Sequence, residues 1–247
     1  MQAVRAAAGA VAFLTRVPVG RVLVLDGTDV ARGAIFFPLV GAGIGALSGL
    51  AAVGLHHRLS SLLAAAIAVG VSVVLTGALH VDALADTADA IGAPSRERAL
   101  EIMRDSRLGS FGAAALALDL VVKIAAVTQL LDRGGALPML VAAGALSRAA
   151  SLPLSATLPY AREEGRGGVF AAGGPLQAAI VAPLLAGGIA VAVAGVHGIV
   201  LIGAVAVSTA VLGLAFRAWL RGVTGDCLGA TTEVAETLAL VVGAALV

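Results

Sequence analysis

The chain has 247 residues, of which 60% are hydrophobic, 3% aromatic and 13% charged, with a formal net charge of +1 and a mean hydropathy of +1.03. A soluble domain of this length does not carry so much apolar mass, so the composition describes an all-α, polytopic integral membrane protein embedded in a lipid bilayer. The near-neutral charge and the lack of a basic face exclude nucleic acid as a partner, and the single cysteine, Cys227, excludes an internal disulfide.

In chain order, residues 1–33 carry Arg5, Arg16, Arg21, Arg32, Asp26 and Asp29 and read as a surface segment with a short interfacial helix over 3–14. The apolar run after Arg5 is short and shows no signal-peptide cleavage pattern, so this start is expected to be retained. Residues 34–55 form a charge-free first span with Gly41, Gly45 and Gly49 at four-residue spacing, one smooth helix face suited to close packing in lipid. His56-His57-Arg58 breaks the pattern, and a second charge-free span over 61–79 leads directly into His80 and Asp82.

A third span covers 111–131, where Asp119 and Lys123 stand four residues apart and can neutralise each other. The fourth, 137–158, carries Arg148; an arginine at mid-depth costs about 2.5–3.5 kcal/mol on insertion scales, so it requires a partner or an aqueous cavity, with Asp119 a candidate. Residues 159–176 are a charged, glycine-rich loop. The apolar stretch 177–216 is long enough for two spans broken near Gly195–Gly198, and the helix ending at Val247 completes about seven, with Glu233 and Glu236 expected near its start.

Lys and Arg in the successive connecting segments number four, one, four, one, two, none and two. By the positive-inside rule this alternation puts segments 1–33, 80–110, 159–176 and 217–230 together on the cytoplasmic side, the N-terminus included. One membrane-embedded domain, 1–247, is expected, with its polar motifs on one cytoplasm-facing side. The composition is compatible with a homo-oligomer and does not specify one.

The chemistry concentrates between His80 and Gly112. Six of the fifteen acidic residues, Asp82, Asp86, Asp89, Glu97, Glu101 and Asp105, fall in this window. On a helix, Asp82, Asp86 and Asp89 occupy i, i+4 and i+7 and share one face, where their mutual repulsion calls for a cation. All-oxygen ligation suits a hard ion, Mg²⁺ or Mn²⁺, with Asp226 and Glu233 as further ligands from another segment. Helix capping is the alternative, but capping asks for one or two acids and not three on a face. Arg104 and Arg107 can clamp a phosphate as planar forks unless they pair with Glu97, Glu101 or Asp105, and Ser106, Gly109 and Gly112 can bring backbone N–H groups to it. This set supports phosphoryl or phosphodiester transfer, in which His80 or a carboxylate takes the proton of an attacking hydroxyl.

The sequence His80-Val-Asp82-Ala-Leu-Ala-Asp86-Thr-Ala-Asp89, followed by Glu101-Ile-Met-Arg104-Asp105-Ser-Arg107-Leu-Gly109, resembles the signature of the cobalamin-5′-phosphate synthase, or adenosylcobinamide-GDP ribazoletransferase, family. Arg16-Val-Pro18, Phe37-Pro38-Leu-Val-Gly41, Tyr160-Ala-Arg162-Glu163-Glu164-Gly165 and Thr224-Gly225-Asp226-Cys-Leu-Gly229-Ala230 are similar to further motifs of that family, in the same order. The chain departs from it at Ala83 and Ala90, where glycine is usual.

The resemblance implies a Mg²⁺-dependent, multi-pass enzyme of the bacterial inner membrane. It would join adenosylcobinamide-GDP to α-ribazole or its 5′-phosphate and release GMP in the assembly of the cobalamin nucleotide loop. It further implies Asp82, Asp86 and Asp89 as metal ligands, with His80, Asp82 and Asp105 catalytic and Arg104, Arg107 and Arg162 on substrate phosphate. Two other readings are a CDP-alcohol-phosphotransferase-like enzyme, whose paired-aspartate pattern this chain lacks, and an ion-coupled transporter using Asp119, Lys123 and Arg148.

Overall fold

The computed structural model describes residues 2–21, 23–105, 107–162 and 176–247. Eleven α-helices are present among them: α1 (Gln2–Leu14), α2 (Gly27–Gly33), α3 (Phe37–His56), α4 (Ser61–Thr76), α5 (Leu79–Ala90), α6 (Arg96–Ile102), α7 (Ser110–Asp132), α8 (Ala136–Thr157), α9 (Leu176–Ala194), α10 (Val196–Leu220) and α11 (Gly225–Leu246). Most of the expected 159–176 loop, including Glu163, Glu164 and Gly165, lies outside the described residues, as does Ser106. Six helical stretches are long and apolar enough to cross a membrane, or seven if α4 and α5 are counted as one broken span.

The second span ends earlier than its apolar pattern suggests. α4 starts with Ser60 capping Leu63 N–H at 3.3 Å. It stops at Thr76, because Gly77 and Ala78 both adopt left-handed conformations, φ 63° and 61°, and their N–H groups return to the carbonyls of Val74 and Val73. The chain then turns by 89°, so α5 runs across the axis of α4 rather than continuing it. The Arg16 segment secures this turn: Arg16 N–H donates to Leu75 O at 2.8 Å, and its side chain fills the space a Cβ on residue 77 would need.

α8 is the centre of the bundle. In its most apolar window 72% of the residues are buried, against 22% for α9 and α10, which face outward. The glycine face of α3 packs on it: a Cβ at Gly41 would collide with the Gly144 carbonyl and one at Gly45 with the Leu140 carbonyl. Such backbone proximity gains van der Waals contact where lipid offers no hydrophobic drive for association. α11 approaches α5 in the same manner, with Gly229 against the methyl group of Ala83.

Asp119, Lys123, Arg148, Glu233 and Glu236, from α7, α8 and α11, are buried together in this bundle. Lys123 on α7 contacts Glu233 and lies 3.5 Å from Asp119, while Arg148 on α8 contacts Glu236. Arg148 therefore finds Glu236, not Asp119, which instead accepts a hydrogen bond from Thr237 Oγ1. The reason is the position of α11. It begins at Gly225, so Glu233 lies eight residues in, about 12 Å down the helix at 1.5 Å per residue, and not near the start. Glu233 and Glu236, three residues apart, reach two different neighbouring helices and tie α7, α8 and α11 together.

Candidate active site

Two helix starts and one strand-like pairing build the site. α5 presents its acids at helical spacing, with Asp82 exposed, Asp86 and Asp89 half-buried, and His80 buried. α11 is started by Thr224, whose Oγ1 accepts from Cys227 N–H at 3.2 Å, and this puts Asp226 in its first turn, where the helix dipole favours a carboxylate. Residues 159–161 pair with Val223: Ala161 N–H donates to Val223 O, and Val223 N–H to Pro159 O, each at 2.9 Å. That pairing brings Arg162 to Asp226, Nη2 to Oδ2 2.8 Å. Arg96 holds it from α6, donating to Leu220 O and Ala161 O at 2.7 Å each. Both α5 and the approach to α11 follow a non-glycine residue with left-handed backbone, Ala78 at φ 61° and Arg221 at φ 55°. Strain of this kind, on the order of 1–3 kcal/mol each, persists where the surroundings fix a geometry.

Between these elements lies a cavity of about 320 Å³. His80, Asp82, Arg148, Tyr160, Arg162 and Asp226 form its polar part, together with Ser151, Ser155 and Thr232, and Phe13, Leu14, Phe37, Leu79, Leu152 and Leu228 its apolar part. Asp86 is near enough to Asp82, Asp89, Asp226 and Arg162 to feel all four charges. Four acids, Asp86 included, against Arg162 leave the region around Asp86 negative, a field that attracts a cation.

The sequence-derived residues divide into two groups. His80, Asp82, Arg162 and Asp226 line the cavity, with Asp86 beside them. The five expected metal ligands do not all converge. Asp89 turns the other way, its two carboxylate oxygens accepting from Gly109 N–H and Gly112 N–H at 2.7 Å each, and Glu233 is occupied by Lys123 inside the bundle. Gly109 and Gly112 therefore direct their N–H groups at Asp89, and a Cβ on either would collide with its carboxylate. Asp105, Arg104 and Arg107 sit on the loop ahead of α7 and do not line the cavity. Arg107 grips Asp105, Nη2 to Oδ2 2.5 Å and Nε to Oδ1 3.0 Å, and these hydrogen bonds hold the Asp105 carboxyl down at about 2.

Several cavity residues escape a spacing-based reading. Phe13, Phe37 and Tyr160 come from segments far apart in the chain. Arg148, Ser151 and Ser155 did leave a signal, since i, i+3 and i+7 place all three on one face of α8.

Among the described residues no three His, Cys, Asp or Glu side chains are close enough to hold a metal ion alone. Mg²⁺ asks for less, because it keeps several waters and takes one or two carboxylates together with phosphate oxygens. Asp82 and Asp226 on the cavity wall, with Asp86 beside them, offer the all-oxygen donors such an ion prefers.

A family model described as cobalamin-5-phosphate synthase matches residues 6–244. The chain is 42% identical over 235 residues to the adenosylcobinamide-GDP ribazoletransferase of Escherichia coli (strain K12 / DH10B), an alignment covering 92% of this chain and 94% of the relative. The protein of the same name from Shigella boydii serotype 4 (strain Sb227) is 41% identical over the same shares of the two chains. No solved structure matches the chain.

Proposed function

The chain belongs to the cobalamin-5-phosphate synthase family, and from this membership and the cavity we propose that it transfers the cobinamide phosphate of adenosylcobinamide-GDP to α-ribazole or its 5′-phosphate, releasing GMP. The supporting observation is the convergence of His80, Asp82, Arg162 and Asp226, from three separate stretches of sequence, on one cavity.

A ribazole hydroxyl oxygen attacks the phosphorus bonded to cobinamide. The new P–O bond forms as the bond between that phosphorus and the bridging oxygen breaks, and GMP departs with the bridging oxygen. The hydroxyl proton passes to His80 or to the carboxylate of Asp82, both on the cavity wall. Arg162, held by Asp226 at 2.8 Å, presents its guanidinium to the diphosphate and offsets charge on the leaving phosphate. Asp82, Asp86 and Asp226 would hold Mg²⁺ or Mn²⁺, which would supply charge neutralisation for the diphosphate and the leaving GMP. Asp89 keeps the loop ahead of α7 docked on α5, so that the acidic face stays presented. Arg104, exposed on that loop, meets substrate phosphate as it arrives, while Arg107 is engaged by Asp105.

The membrane is the bacterial inner membrane, with the cavity facing the cytoplasm, where nucleotide-activated substrates are made; the charge alternation of the connecting segments supports this orientation. The buried charges that a transporter would use, Asp119, Lys123 and Arg148, are engaged with one another or with Glu233 and Glu236. The test is GMP release from adenosylcobinamide-GDP, dependent on α-ribazole and on Mg²⁺, by protein purified in detergent. Release that is independent of ribazole would overturn the transfer reaction.

A further inference from the structure

Arg96 does not line the cavity, yet it is fastened to both of the segments that carry Arg162 and Asp226 to it. We infer that Arg96 is a positioning residue of the transfer reaction: its planar guanidinium joins the residue before Arg162 to the end of α10 and so fixes the direction from which Arg162 meets the diphosphate. This rests on the role given to Arg162 above.

Ser95 caps α6 through the Arg98 N–H at 3.2 Å and so fixes where Arg96 leaves the helix. From there its fork divides between two segments. Nε donates to Leu220 O and Nη2 to Ala161 O, 2.7 Å each, across 124 and 65 residues of chain. Leu220 is the last residue of α10, where carbonyls lack partners within the helix and the dipole favours a cation. Ala161 is held through both of its backbone groups: its N–H donates to Val223 O at 2.9 Å, and its oxygen accepts from Arg96. That oxygen belongs to the planar peptide group that also contains the Arg162 nitrogen, so Arg96 sets the plane from which Arg162 departs. At the tip of the same side chain, Asp226 takes Arg162 Nη2 at 2.8 Å.

The charge of Arg96 is not spent on an acid. The carboxylate that approaches it, Glu97 Oε1 at 3.9 Å, is on a side chain 74% exposed, and such a contact contributes little. The two carbonyl bonds are short and charge-assisted, and they use the fixed, in-plane donors of a guanidinium, which an ammonium on a flexible stem does not offer. Beneath them, Ala99 and Met103 of α6 pack with Ala161, Leu220, Val223 and Cys227, which lays α6 on the pairing of residues 159–161 with Val223. The stretch that begins at Arg96 is pinned at its other end by Asp89 of α5, which takes the N–H groups of Gly109 and Gly112. It therefore straps the Arg162–Asp226 side of the site to the acidic helix, and Arg96 is its fastening on the first side. Misplacing a substrate-contacting group by about 1 Å can cost on the order of 100-fold in rate, so a residue that fixes the Arg162 peptide plane acts on the reaction without touching substrate.

The experiment is a double-mutant cycle in steady-state GMP release, with amide hydrogen exchange alongside, both on full-length protein in detergent. Arg96→Met lowers kcat/KM for adenosylcobinamide-GDP by roughly 10–100-fold and leaves KM for α-ribazole within about twofold. In an Arg162→Met background the same change costs less than about threefold more, because the group it positions is gone. Equal losses in the two backgrounds overturn the proposal, since a residue that only supports the fold acts independently of Arg162; parental turnover of Arg96→Met overturns it as well. Hydrogen exchange reads the geometry apart from the reaction. In Arg96→Met the Ala161 and Val223 amides exchange about tenfold faster or more while those of α5 keep the parental rate, and unchanged protection at Ala161 and Val223 overturns the proposal. Should Arg96→Met fail to fold, Arg96→Lys, which keeps the charge and loses the fork, carries the same cycle and the same exchange measurement. A parent that releases no GMP, with faster exchange in the variant, defeats the transfer reaction and leaves the placement of the Arg162 peptide by Arg96 standing. Parental turnover of Arg162→Met defeats the role of Arg162 and the proposal with it.

Discussion

Asp82, Asp86 and Asp89 look equivalent on a helical wheel, yet the fold gives them different tasks. Asp82 is on the cavity wall and Asp86 beside it, and exchanging either for asparagine removes a charge from the proposed metal site while keeping the shape; turnover is expected to fall by about 100-fold or more with the protein still folded, as GMP release and size-exclusion chromatography would report. Asp89 accepts two backbone N–H bonds from the loop ahead of α7. Hydrogen bonds to a charged group contribute about 1.5–3 kcal/mol each, so Asp89→Ala should lower thermal stability as well as activity, and Gly112→Ala should do the same because its Cβ meets that carboxylate. A Gly112→Ala variant with parental stability would contradict the clamp. The spacing i, i+4, i+7 made the acidic face legible from sequence, since helical periodicity is local. Asp89's partners lie 20 and 23 residues further on, and no local pattern records which way it turns.

At the scale of elements, the buried pairs hold the bundle and the Gly77-Ala78 turn aims the site. Arg148→Met strands Glu236 in the interior, a loss of about 3–5 kcal/mol when one partner of a buried pair is removed. The double variant Arg148→Met with Glu236→Met should recover most of that stability in a denaturant titration, and recovery no better than the single variant would show that the pair is not the source of the loss. Gly77→Ala should destabilise through its φ of 63° and through displacement of the Arg16 side chain, with activity falling as α5 moves. Charge-free runs and glycine spacing revealed the spans and the packing face of α3. They did not reveal the crosswise course of α5, because periodicity identifies a helix without fixing its direction. The partner of Arg148 was hidden for a related reason. Glu233 and Glu236 appear close to a helix start only until Thr224 is seen to cap α11, after which both belong to its buried middle.

Taken whole, the molecule is a bundle around α8, with a cavity between the turn into α5 and the start of α11, and small residues where helices must approach. Ala83 and Ala90 fit this plan: the first meets Gly229 and the second is fully buried beside Ala99 and Met103, so neither methyl group needs a glycine's space. The proposed sidedness predicts that, in a Cys227→Ala background, Arg98→Cys is labelled by an impermeant thiol reagent only from the cytoplasmic face and Arg133→Cys only from the opposite face; labelling of both from one side would reject the orientation. The central claim is that one acidic face, built on α5 and the start of α11, carries Mg²⁺-dependent transfer to ribazole. Its most direct measurement is GMP and cobalamin product formed from adenosylcobinamide-GDP and α-ribazole by the parent protein and by Asp86→Asn, each with Mg²⁺ and with chelator. Product from the parent with Mg²⁺ alone is the predicted result, and equal product from the folded Asp86→Asn protein would contradict it.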